Sequence, residues 1–268
     1  MSSRPVFWFA TCGAVATTLV VAASALLRMT THLAAAGTAH SMLPAAMETA
    51  VRTLHRAGAS AAGLAALAVA IGVAVQERTR GRMMLTAAVL VLTTFLALLG
   101  RHSAHAPGAA IPAANAVGGT LLACAFAALA VRCSPSRPRD EGPGMAVAVV
   151  ALALVLGAAV SGIVAASSGG NPFKPWHIGL GLVILGVVAY GVLHGYDMTR
   201  SDCARRLRRI LFGVAVVQLA LGMIVAALGG TVATVVAWLH AMAGTLLALG
   251  LASLAGRAVV TSDQRPGR

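Results

Sequence analysis

Eight stretches of this chain, about 6–27, 53–75, 83–100, 112–131, 145–166, 176–194, 210–228 and 231–256, are apolar over the length of a bilayer crossing or close to it. A hydrocarbon core of roughly 30 Å takes about 20 helical residues to cross. Backbone groups in lipid must be paired within the segment, so each stretch reads as a helix. Hydrophobic residues make up 59% of the chain and charged residues 10%, with a mean hydropathy of +0.87, which excludes an ordinary soluble domain. The pattern predicts an all-α polytopic membrane protein with eight transmembrane helices, its first partner being the lipid bilayer.

The formal charge of +13 invites a nucleic-acid reading, but its distribution argues against one. Arg4 precedes the first stretch, Arg78, Arg80 and Arg82 lie between the second and third, and Arg132, Arg137 and Arg139 follow the fourth. Arg200, Arg205, Arg206, Arg208 and Arg209 separate the sixth and seventh, and Arg257, Arg265 and Arg268 end the chain. That places 15 of the 20 basic residues on one side of the membrane, leaving Arg28, Arg52, Arg56, Arg101 and Lys174 on the other. Arg-rich short loops stay in the cytoplasm, so both termini are expected inside and no nucleic-acid partner is implied. The opening "MSSRPVFWFATCGAVATTLVVAASALL" has the outline of a signal peptide, yet the alternation of loop charge works only if it remains as the first helix. None of the four cysteines falls in an outer loop, so no structural disulfide is expected.

The stretch "NAVGGTLLACAFAALAVR" (115–132) returns as "HAMAGTLLALGLASLAGR" (240–257), with ten of eighteen positions identical and no gap. The offset of 125 residues divides the chain into two four-helix halves, 1–132 and 144–257, joined by a polar cytoplasmic linker at 133–143 and followed by a cytoplasmic tail at 258–268. An even number of helices per half makes these parallel repeats, related by an axis along the membrane normal. Small residues in "GLAALAVAIGVAV" and "GLGLVILGVVAYG" permit the close backbone approach that membrane helices use to associate.

The repeat differs at its first position. Asn115 and His240 each stand 17 residues before their terminal arginine, about 25 Å above the cytoplasmic edge. His55 in "TLHRAGAS" and His177 in "KPWHIGLG" sit near the outer starts of the second and sixth helices, so every even-numbered helix carries one polar residue at a comparable level. Ionisable groups inside a bilayer are costly and mark function more often than not. Two neutral imidazoles on facing helices have the chemistry to bind an iron porphyrin from opposite sides, which His177 and His240 satisfy in the second half. In the first half His55 faces Asn115, whose amide is a poor iron ligand, so a site there is five-coordinate or takes a ligand from elsewhere. His102 and His105 in "RHSAH" are the candidates for such a replacement, while His32, His40 and His194 read as solvated loop or helix-end residues. A lone membrane histidine also serves simply as a hydrogen-bonding partner, and His55 is open to both readings. Arg28, Arg52, Arg56 and Arg101 have the charge to pair with porphyrin propionates or to sit at the interface.

At this point the chain resembles the haem A synthase family of cytochrome oxidase assembly. The resemblance spans nearly the whole chain and rests on "LLRMTTHL" after the first helix, "LHR" at His55–Arg56, His177 opening the sixth helix, and "LGGTVATVVAWLH" leading to His240. It implies an eight-helix plasma-membrane oxidoreductase that converts the 8-methyl group of haem O to a formyl group. It further implies that His177 and His240 ligate a haem b cofactor and that His55 ligates the substrate haem O. Of the outer arginines, Arg28 and Arg56 are the ones expected, on charge alone, to bind the cofactor. The substrate arrives from a haem O synthase in the same membrane, and homo-oligomerisation is left open. Two departures stand in the first half: Asn115 replaces the family's fourth histidine, and Arg52 stands where the family carries a glutamate. Glu48, seven residues before His55, is the nearby carboxylate; it reads either as an acid/base or hydrogen-bond partner, if the second helix begins early, or as a solvated interfacial residue. A non-catalytic haem b-binding protein in electron transfer or oxidase assembly is the alternative, and a transporter of parallel repeats ranks last for want of polar residues at the midplane.

Overall fold

The computed structural model describes residues 4–35, 44–76, 79–102, 110–134, 144–167, 173–194, 202–228 and 230–258. Within them the chain forms eight helices: α1 (Arg4–Ala35), α2 (Ala45–Val75), α3 (Arg80–His102), α4 (Ala110–Cys133), α5 (Gly144–Ser167), α6 (Phe173–His194), α7 (Asp202–Ala227) and α8 (Gly230–Ala258). All eight are long and apolar enough to span a membrane. His40, His105, most of the 133–143 linker and the tail beyond Ala258 lie outside the described residues, as do the side chains of His32, His102 and His194.

Two helices begin well before their apolar stretch, α2 at Ala45 and α7 at Asp202. Hydropathy marks the part of a helix immersed in lipid, whereas hydrogen bonding continues into the headgroup region wherever the residues are good helix formers. At α2 the Pro44 carbonyl accepts from the backbone N–H groups of Met47 at 2.8 Å and Glu48 at 3.0 Å, which closes the first turn. Glu48 and His55 therefore share one helix.

Each of the first four helices packs on its neighbours in a closed ring, α1 on α2, α2 on α3, α3 on α4 and α4 on α1, and the last four repeat this ring. The first ring closes around Val6, Val69, Val89, Phe126 and Leu129, and the second around Ala151, Ile184, Leu211, Leu247 and Leu251. The rings meet mainly along α4 and α8, with α1 also touching α8. Accordingly α4 is the most enclosed span, with 56% of its apolar window buried against 11% for α3, α6 and α7. Outward-facing leucines such as Leu64 and Leu193, each about 70% exposed, form the surface that lipid covers. Hydroxyl groups in the spans mostly bond to their own helix: Thr120 Oγ1 donates to Ala116 O at 2.9 Å, and Thr245 Oγ1 donates to Ala241 O at 3.0 Å. These are matching positions of the repeated stretch, and the local bond removes the cost of a bare hydroxyl in lipid.

Candidate functional site: histidines on the even-numbered helices

His177 lies early on α6, whose first turn holds Pro175, a position where the missing N–H breaks no helix bond. Its Nδ1 is 3.1 Å from Ser161 Oγ on α5, and the Ser161 hydroxyl itself donates to Ala158 O at 2.9 Å. With that proton committed, Ser161 faces the ring as an acceptor, so Nδ1 carries the imidazole proton and Nε2 keeps its lone pair. His240 on α8 arrives at the same state by another route. Its Nδ1 is 2.9 Å from the backbone carbonyl of Gln218 on α7, which accepts only, so Nδ1–H is the donor. Both histidines thus hold Nε2 unprotonated, the form in which imidazole binds a metal.

The two rings meet. Their centroids are 5.8 Å apart and their planes are inclined at 72°. Two glycines make the approach possible. A Cβ at Gly162 would come within 2.9 Å of His177 Cε1, and one at Gly222 within 3.0 Å of His240 Cε1, so each ring rests where any side chain would intrude.

Among the described residues there is no group of three or more His, Cys, Asp or Glu side chains that could hold a metal ion. A pair of imidazoles therefore fits a metal that brings its other donors with it, as iron does in a porphyrin. The donor chemistry of His177 and His240, two imidazoles with unprotonated Nε2 on neighbouring helices, suits a haem.

The first half is built differently. His55, half-buried on α2, has Nδ1 3.0 Å from Ser24 Oγ on α1, and the Val20 backbone also accepts a hydrogen bond from the ring. Arg28 and Arg56 lie within electrostatic reach of His55; Arg56 is exposed and Arg28 half-buried. Asn115 on α4 has no hydrogen bond or electrostatic contact with His55 among the described residues. Glu48 is bound to Arg52 one turn on, with Oε1 2.6 Å from Nη2 and 2.9 Å from Nε. The structure so brings His177 and His240 together, joins His55 to Ser24, and holds Glu48 in a surface ion pair.

Sequence reasoning did not single out Ser24, Ser161, Gln218 or the paired glycines as parts of the site. The available signal was chemical: a carboxamide in "VAVVQLALG" and a hydroxyl in "GAAVSGIVA" each interrupt a run of apolar residues. A further link crosses between the halves at this level. Trp238, two residues before His240, donates its indole N–H to Ala22 O at 3.1 Å, and Ala22 is two residues before Ser24. Comparison of the chain with protein-family models and with curated proteins returns no match.

Proposed function

We propose that the protein is a haem-binding membrane oxidoreductase resembling haem A synthase, built as two parallel four-helix repeats in the plasma membrane with both termini cytoplasmic. In this reading His177 and His240 hold haem b in the second half, and His55 presents haem O in the first half for oxidation of its 8-methyl group. One observation carries it: two half-buried imidazoles from different helices lie with ring centroids 5.8 Å apart, each with its Nδ1 proton engaged and its Nε2 unprotonated. Haem bound there supplies the one-electron chemistry of its iron. The chain does the rest with ordinary groups. Ser161 and the Gln218 carbonyl fix the tautomers of the two ligands. Arg28 and Arg56 set positive charge near His55, where a porphyrin propionate would be neutralised. The substrate comes from a haem O synthase in the same membrane, and self-association is left open.

A second reading has its own observation. Glu48 is held by Arg52 rather than turned toward His55, and among the described side chains the first half offers one histidine where the second offers two. That favours a non-catalytic haem b protein in electron transfer or oxidase assembly. The deciding experiment is co-expression with a haem O synthase in a host that makes no haem A, followed by extraction and chromatography of the haems. Haem A in the extract establishes the enzyme. Haem O accumulating beside purified protein that carries only haem b establishes the carrier.

A further inference from the structure

Gln218 touches His240 twice. Its backbone carbonyl takes the Nδ1 proton at 2.9 Å, and its side-chain Nε2 lies 3.3 Å from the ring's Nε2. The first contact determines the second. With the ring proton on Nδ1, the far nitrogen is a lone pair, so the group facing it must be the donor end of the carboxamide. Reversing the amide would set two acceptors against each other. The consequence is an unsatisfied oxygen, for Gln218 Oε1 is buried with no hydrogen-bond partner. A buried carbonyl without a donor keeps its full desolvation cost, so the contact to His240 is retained at the oxygen's expense.

The helices are cut to fit this pair. Gly222 stands one turn after Gln218 on α7 and receives the His240 ring, with a Cβ there falling 3.0 Å from Cε1. Gly244 stands one turn after His240 on α8 and receives the Gln218 amide, with a Cβ there falling 3.0 Å from Nε2. Each side chain lies against the glycine of the opposite helix.

We infer that Gln218 is the gate of the His177–His240 site: its carboxamide occupies the coordinating lone pair of His240 and must withdraw before a metal centre can bind there. The inference rests on the haem reading given above and adds a residue that sets how readily the site fills. A residue that merely propped up the site would weaken binding when removed. A gate does the opposite, and the sign separates the two.

The test is titration of the purified full-length protein in detergent with ferric protoporphyrin IX, comparing wild type with Gln218→Leu and Gly244→Ala. The second variant keeps both polar residues and displaces only the flexible end of Gln218. Gly63→Ala, where a Cβ meets nothing within 4 Å, is the control. Both test variants should bind about five- to tenfold more tightly than wild type, the size of one hydrogen bond that no longer has to be broken, with the control unchanged. In the haem-free protein, the 15N resonance of His240 Nε2 should move downfield in Gln218→Leu as its hydrogen bond is lost. Equal or weaker binding by both variants, in a wild type that does give a low-spin haem spectrum, overturns the gate and leaves the haem reading standing. An unmoved His240 resonance likewise overturns the gate. Binding by the variants but not by wild type supports it, and no low-spin spectrum in any of the proteins overturns both inferences.

Discussion

Ser161 and the Gln218 carbonyl perform the same task on the two histidines, which is to decide where the ring proton sits. If His177 and His240 hold a haem, His240→Ala abolishes a six-coordinate low-spin haem spectrum, and His194→Ala at the end of α6 leaves it intact. A spectrum unchanged in His240→Ala removes that histidine from the site. The glycines permit a finer test. Gly162→Ala places a methyl 2.9 Å from His177 Cε1, so the ring must turn, whereas Gly179→Ala on α6 itself meets nothing within 4 Å. Gly162→Ala is expected to weaken haem binding by about tenfold, within the range seen when the groups that orient a metal ligand are disturbed, and Gly179→Ala to leave it alone. Parallel haem titrations of the two variants check this. The histidines were legible in the sequence because a repeated helix put them at one depth. Ser24, Ser161 and Gln218 were not, because their partners sit 31, 16 and 22 residues away on neighbouring helices, and no local period connects them.

At the level of elements, α4 and α8 are the seam of the molecule. They are the two helices that the sequence repeat itself identifies. The two helices approach closely at Gly256, where an added Cβ would lie 3.0 Å from Ala128 O and 3.1 Å from Ala128 Cα. Backbone atoms cannot move aside as a side-chain tip can. Gly256→Leu should destabilise the folded protein by about 1–3 kcal/mol through overpacking, and Gly63→Leu on the open face of α2 by far less. Thermal unfolding of both variants in one detergent measures the difference, and equal melting temperatures would show that the halves do not depend on this contact. All eight helices could be read from apolar length, since that length is set by the bilayer and not by tertiary packing. Their ends could not, because Ala45–Arg52 and Asp202–Arg209 continue their helices with polar residues that hydropathy cannot tell from loop.

For the whole molecule, orientation decides what the site can meet. Arginine gathers at the starts of α3 and α7 and in the short segments before them, while the end of the molecule holding His55, His177 and His240 carries few cations, and Arg-rich membrane flanks remain in the cytoplasm. In the proposed orientation the three histidines lie toward the outer surface, and a haem bound there would be exchanged within the outer part of the bilayer. The Trp238 indole crosses to the Ala22 carbonyl at this same level, so the half holding Ser24 and His55 is tied to the half holding His240 near the site and not only along α4 and α8. Single-cysteine labelling tests the orientation directly, after Cys12, Cys124, Cys133 and Cys203 have been replaced by serine or alanine. Ala46→Cys at the exposed start of α2 should react with a membrane-impermeant maleimide on intact cells, and Thr79→Cys before α3 only once the membrane is opened. The reverse labelling would put the histidine end in the cytoplasm and the arginine loops outside, against the charge rule. In that case haem O would have to reach His55 from the inner leaflet, and Arg28 and Arg56 would face cytoplasmic headgroups instead of the outer interface.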